Sequence, residues 1–225
     1  TRESITYGAR RSLWMATWLL WRPLLAAFCH FKIEGQEHCR GLSGPLIVMA
    51  NHAHYLDPYT LSAAMPFQNR IFPIRFLTNH RYMVMPLIGA VAHVYGAVSV
   101  KPGSGMEKAL EKPEHILRQD GVVGFFPEGG FAHKEGEFRE AKPGVAYLGV
   151  KLNVPILPVA INGHGRLHVF NFLLRRAHIT VTFGRPFTMK EIVPELTPHA
   201  KKWEFARAAE FAMRRVRELY DVGQQ

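Results

Sequence analysis

From Phe31 onward the sequence alternates between apolar runs of strand length and segments with helical spacing. The runs are 45-PLIVMA-50, 71-IFPIRFL-77, 94-VYGAVSV-100, 121-GVVGFF-126, 155-PILPVAI-161 and 178-HITVTF-183. Between them 58-PYTLSAAM-65, 104-SGMEKALEKPEHILRQ-119 and 143-PGVAYLGVKL-152 read as helices, with Pro113 expected to interrupt or delimit the second. A last segment, 198-PHAKKWEFARAAEFAMRRVRELY-220, places apolar residues at helical spacing and a basic outer face. This alternation constrains the chain to an α/β domain with a largely buried sheet. No internal repeat, low-complexity tract or linker divides it, so residues 31–225 are expected to form one domain.

Residues 1–30 read differently. Two apolar stretches, 13-LWMATWLLW-21 and 24-LLAAFC-29, are separated by Arg22-Pro23 and preceded by Arg2, Arg10 and Arg11. A spanning helix needs about 20 largely apolar residues. An arginine near its middle costs roughly 2.5–3.5 kcal/mol on insertion. Trp14, Trp18 and Trp21 fall at i, i+4 and i+7, so one helical face carries three indoles. The expectation is a broken amphipathic helix lying in one leaflet, its indoles at the headgroups and its arginines on anionic lipid. A cleavable signal peptide is the first alternative, but no small-x-small cleavage site follows and Phe28 precedes Cys29. A soluble helix whose Trp stripe packs on the core is the second.

The bulk charge agrees with a surface role. Lys and Arg number 28 against 18 Asp and Glu, a net +10 that favours an anionic partner such as acidic lipid or a phosphorylated substrate. No basic tract interleaved with aromatics marks a nucleic-acid module. Cys29 and Cys39 alone imply no disulfide framework and a reducing compartment. The expected location is therefore the cytoplasmic face of a membrane. The chain begins at Thr1 rather than methionine, which leaves room for residues upstream.

Chemistry concentrates first in 51-NHAHYLDPY-59, directly after the run 46-LIVMA-50. As a metal site, His52, His54 and Asp57 depart from H-x-H-x-D-H, because Asp57 comes five residues after His52 and Pro58 follows it. As an acid–base pair, Asp57 would fix the His52 tautomer and stabilise the imidazolium. As a capped loop, Asp57 would be the N-cap of a helix with Pro58 at its first position. Spacing leaves the last two open, and they are compatible. A second constellation, 125-FFPEGGFAHKEG-136, ends a strand and puts Glu128 on a turn with Gly129 and Gly130. Paired glycines allow a close backbone approach to a ligand, while an idle exposed glutamate is the plainer alternative.

Taken together, the two segments resemble the glycerolipid acyltransferase family, which acylates glycerol-3-phosphate and lysophospholipids. Asn51, His52 and Asp57 match its N-H-x-x-x-x-D motif, and Phe126, Pro127, Glu128 and Gly129 match its F-P-E-G motif. The segment 154-VPILPVAING-163 looks like its late proline-flanked strand, and Lys142 with Gly144 like its K-x-G segment. The resemblance spans roughly residues 30–190 and implies a mixed sheet flanked by helices. It also implies that His52 is a general base supported by Asp57, and that Asn51, Glu128 and Gly129 help bind the acceptor. Lys101 would stand where the family has a phosphate-binding arginine, in 96-GAVSVK-101. Lysine keeps the charge but loses the bidentate fork. After F-P-E-G the usual Thr-Arg pair is replaced by Gly130-Phe131, so a second expected cation is missing.

The implied reaction moves a fatty acyl group from acyl-CoA or acyl-carrier protein to a hydroxyl of a lysophospholipid, foremost 1-acylglycerol-3-phosphate. No metal or resident cofactor is required. The competing readings are a metal-dependent hydrolase built on His52, His54 and Asp57, and a basic membrane-binding module without catalysis. His54, His80, His93 and His133 have no matching role.

Overall fold

The computed structural model describes residues 2–66, 70–101, 103–132, 134, 136–163, 171–172 and 174–223. Its centre is a seven-stranded sheet: β1 (Cys29–Glu34), β2 (Leu46–Ala50), β3 (Ile74–Asn79), β4 (Val98–Val100), β5 (Val122–Phe125), β6 (Ile156–Asn162) and β7 (Ala177–Phe183). The strand order is β1-β7-β6-β2-β5-β3-β4, and only the β6–β7 pair is antiparallel. The sheet is thus mixed, as the family resemblance implies, with β2 near its centre.

Both faces of the sheet are covered, which is why the central strands β2, β5 and β6 read as continuous apolar runs. Alternate residues of β2 face opposite cores: Ile47 and Met49 one, Leu46, Val48 and Ala50 the other. The first core is closed by α5 (Met106–Arg118), α6 (Gly144–Leu152), α7 (Met189–Ile192) and α8 (Lys202–Val222). The second is closed by α1 (Arg2–Phe28) and α2 (Asp57–Ala64). Two further helices, α3 (His80–Met83) and α4 (Pro86–Val94), lie between β3 and β4.

Three sequence expectations change. The segment 94-VYGAVSV-100 is a strand only over Val98–Val100, because 86-PLIGAVAHV-94 forms α4 with Pro86 at its start. Helix α5 runs unbroken through Pro113, which is buried with Leu110, Ile116 and Leu117. Packing of that apolar face offsets the missing proline donor. Helix α1 is also continuous through Pro23, and the chain enters β1 at Cys29 without a linker.

The tryptophan stripe of α1 faces the protein. Trp14 is buried among Tyr59, Phe72, Phe76 and Tyr95, its ring 4.8 Å from that of Tyr95. Trp18 Nε1 donates to the Met65 carbonyl at 2.9 Å, and Trp21 Nε1 to Thr60 Oγ1 at 3.3 Å. Arg22 follows them inward, donating to the Ala63 carbonyl with its guanidinium over Trp18. The outward side carries Leu19, Leu20 and Leu24 instead. Among the described residues no helix is long and apolar enough to cross a membrane.

Candidate active site

The site forms at the carboxyl ends of β2 and β5, adjacent strands at the middle of the sheet. Open α/β sheets present ligand crevices there. The chain leaving β2 is pinned at once: Asn51 Nδ2 donates to the Ile161 carbonyl at 2.9 Å, and Asn51 Oδ1 accepts from the Ile161 amide at 2.8 Å. Asn51 is buried and ties β2 to β6. The resemblance implied a contact with substrate; the structure shows this side chain clamping β2 to β6.

Asp57 organises the next turn. One oxygen, Oδ2, accepts His52 Nδ1 at 2.8 Å, the Ala53 amide at 2.7 Å and the His54 amide at 2.8 Å. The residue is fully buried and is the first residue of α2, where the helix dipole favours an anion. Leu56 is the N-cap, so the expected N-cap role of Asp57 is corrected: its carboxylate reaches back to close loop 52–54. His54 Nδ1 accepts from the Leu56 amide at 3.2 Å, turned to its own loop. The described residues hold no group of three or more His, Cys, Asp and Glu side chains arranged for a metal ion.

The FPEG turn holds the other side of His52. Glu128 is buried, and its Oε1 accepts the His52 amide at 2.9 Å while Oε2 accepts the Arg139 amide at 2.9 Å. Burial pushes its carboxyl above the ordinary range, against the pull of these two bonds and of His52. Both oxygens already hold internal donors, so Glu128 fixes two backbones where the resemblance implied contact with the acceptor. The His52 carbonyl in turn accepts the Ala132 amide at 2.9 Å. Phe126 stacks on the imidazole at 4.0 Å and 13°, and Phe131 lies 4.4 Å from it. His52 is therefore held by its backbone, its Nδ1 and its ring face, and among the described residues Nε2 has no partner.

An apolar cavity of about 380 Å³ reaches His52, lined among others by Trp14, Tyr59, Phe76, Ile88, Val91 and Tyr95. Burial, and then the neighbouring Tyr95, push the Tyr59 phenol up to about 12. Gly129 and Gly130 line the same cavity, and Gly129 adopts φ +65°. A positive φ there is the reason for glycine. Lys101 is exposed and does not line the cavity; it follows Val100, whose register partner Asn79 does. His80 Nδ1 lies 3.1 Å from Ser99 Oγ and His93 Nδ1 donates to the Gly89 carbonyl, while His133 lies outside the described residues. The aromatic walls of the cavity were missed by motif reading. The largely apolar segment 86–94 signalled only the aliphatic part of the lining, Leu87, Ile88, Val91 and Ala92.

A histidine hydrogen-bonded to a buried carboxylate at the mouth of an apolar cavity has the make-up of an acid–base site. Residues 30–162 match the family model described as Acyltransferase, more than half of the chain, and the chain belongs to that family. It is 29% identical over 153 residues to the chloroplastic 1-acyl-sn-glycerol-3-phosphate acyltransferase LPAT1 of Arabidopsis thaliana, covering 66% of this chain and 40% of that protein. It is 31% identical over 127 residues to the probable 1-acyl-sn-glycerol-3-phosphate acyltransferase of Mycoplasma genitalium, covering 53% and 44%. The chain thus spans less than half the length of these curated relatives. The crystal structure of the 1-acyl-sn-glycerophosphate (LPA) acyltransferase PlsC of Thermotoga maritima superposes with a TM-score of 0.68, covering 100% of this chain and 84% of that one. At 18% identity that likeness shows a shared fold.

Proposed function

We propose that this chain transfers a fatty acyl group from a thioester, acyl-CoA or acyl-carrier protein, to the free hydroxyl of 1-acylglycerol-3-phosphate. The observation that carries the reading is the His52–Asp57 pair opening onto an apolar cavity. The names of the two relatives support the acceptor.

In this reading the acyl chain lies in the cavity and the acceptor hydroxyl meets His52 Nε2. As the hydroxyl oxygen attacks the thioester carbonyl, its proton passes to Nε2. Asp57 Oδ2 holds the Nδ1 proton and stabilises the imidazolium. Collapse of the tetrahedral intermediate breaks the carbon–sulfur bond, and the Nε2 proton goes to the departing thiolate. Phe126 and the backbone bonds to Glu128 and Ala132 keep the ring in this pose, which supplies rate through orientation. His52 and Asp57 suffice for the proton transfers without a resident cofactor.

Membrane contact falls to two exposed apolar patches. One is Leu19, Leu20 and Leu24 on α1; the other is Val84, Met85, Leu87 and Val91, of which Leu87 and Val91 also line the cavity. Lipid would enter from that side, with residues 1–30 as the membrane-facing segment of the domain. The test is mass spectrometry of products from mixed lysolipids with both donor types. Phosphatidate formation that is lost in folded His52→Ala protein is expected. Unchanged transfer in that variant overturns the proposed base.

A further inference from the structure

Two cations from the loop after the FPEG turn cover its two glycines. A Cβ built on Gly130 would fall 2.6 Å from Arg139 Nη1, and one on Gly129 would fall 2.3 Å from Lys142 Cε. The guanidinium thus stands in the space that a side chain at position 130 would need. Both side chains are exposed, and neither has a carboxylate partner among the described residues. The position is fixed from below: the Arg139 amide binds one oxygen of Glu128, and the His52 amide binds the other. One buried carboxylate therefore couples the backbone of the base to that of the cation.

We infer that Arg139, with Lys142 beside it, binds the phosphate group of a substrate at the rim of the site, and that residue 130 is glycine to admit the guanidinium. The inference rests on the acyl-transfer reading of His52. Two neighbouring cations without a carboxylate repel each other until an anion sits between them. Guanidinium offers a planar fork for two phosphate oxygens and lysine adds a point charge. Both the acceptor and coenzyme A carry phosphate. The acceptor's phosphate is on the carbon next to its reacting hydroxyl, whereas those of coenzyme A lie beyond a long pantetheine arm. A cation held to the same carboxylate as the base therefore suits the acceptor.

The test compares kcat/KM for lysophosphatidate with that for the matching monoacylglycerol, in wild type, Arg139→Gln, Arg139→Lys and Gly130→Thr proteins of unchanged melting temperature. The ratio is expected to fall about tenfold or more in Arg139→Gln, the loss of a charge-assisted pair, with partial recovery in Arg139→Lys. Gly130→Thr, which displaces the guanidinium without altering residue 139, should give the same fall. A parallel comparison of acyl-CoA with acyl-pantetheine identifies the other source: a fall confined to that pair assigns the site to the donor's phosphate. Ratios unchanged in both pairs overturn the inference. If wild type acylates neither acceptor, the acyl-transfer reading fails. Equilibrium binding of lysophosphatidate against monoacylglycerol then decides on Arg139 without turnover, equal affinities in Arg139→Gln and wild type overturning it.

Discussion

Asp57 Oδ2 holds His52 Nδ1 at 2.8 Å while the same oxygen gathers the amides of Ala53 and His54. The carboxylate that orients the base is also the hub of the loop presenting it. Asp57→Asn is expected to affect both. The amide offers one acceptor oxygen and turns donors toward donors, costing about 1–3 kcal/mol of stability for a buried unsatisfied group. It also removes the negative partner of the imidazolium, lowering kcat by about 10²–10⁴. Chemical denaturation with parallel steady-state kinetics checks this. Loss of stability with full kcat would make Asp57 purely structural.

Glu128 predicts a pH dependence. Its folded carboxyl is raised by burial, so the folded state binds the proton more tightly than the unfolded state. Its contribution to stability is then present below the ordinary carboxylate value and lost as pH rises through the folded value. In Glu128→Gln one backbone donor faces an amide NH₂, and that dependence disappears. The unfolding free energy of wild type minus that of Glu128→Gln should decrease as pH rises through this window. Urea melts across a pH series measure it, and a difference that grows with pH contradicts the assignment.

Lys101 predicts a kinetic asymmetry weaker than that of Arg139. Both side chains are exposed and outside the cavity lining, but Lys101 follows β4 and lacks the tie through Glu128 that fixes the Arg139 backbone to that of His52. Lys101→Ala should raise the acceptor KM more than the thioester KM, and the effect should fade at high salt. Equal changes in both constants at low salt would leave Lys101 without a role in acceptor binding.

How much of this was legible depends on whether a residue's partner is local. The strands β2, β5 and β6 stood out because burial on two faces leaves unbroken apolar runs, and β7 because Ile179, Val181 and Phe183 alternate with polar residues. His52 and Asp57 were legible because both lie on one turn. Strand β1 was hidden because α1 runs into it at Cys29 with no turn residue between them. Asn51 and Glu128 were legible as site residues, but their internal partners Ile161 and Arg139 were not, since these are set by the sheet and a later loop. The Trp spacing gave the right helical face and no information on whether protein or lipid covers it. Position 130 lacks the side chain that the family motif carries, and Arg139, nine residues on, stands over it.

The two sides of α1 predict separable losses. Trp14 packs in the core, so Trp14→Ala should destabilise the protein by about 3–5 kcal/mol. Leu19, Leu20 and Leu24 are exposed, so serine at all three should change stability little, about 0.5 kcal/mol per site. Each leucine buried in lipid would contribute about 1.5–3 kcal/mol, so the triple variant should bind vesicles at least about tenfold more weakly. Thermal melts and sedimentation with anionic vesicles separate the two. Unchanged sedimentation of the triple variant would move membrane contact to the α4 patch.

The cavity predicts control of acyl-chain length. Ala92 lines it from α4, and among the described residues the lining holds no Asp, Glu, Lys or Arg. Ala92→Phe adds a ring to an apolar volume of about 380 Å³ and leaves His52 and Asp57 untouched. Overpacking of this kind costs about 1–3 kcal/mol where the surroundings are tight, so the variant must first be shown to fold. A thioester whose chain enters the cavity then loses room: kcat/KM for palmitoyl donor should fall about tenfold relative to decanoyl donor, the effect of roughly 1.4 kcal/mol. Leu87→Ala, at the exposed rim, should shift that ratio far less. If Ala92→Phe lowers both donors equally, the chain runs outside the cavity along the exposed α4 surface, and His52 faces the thioester from the other side.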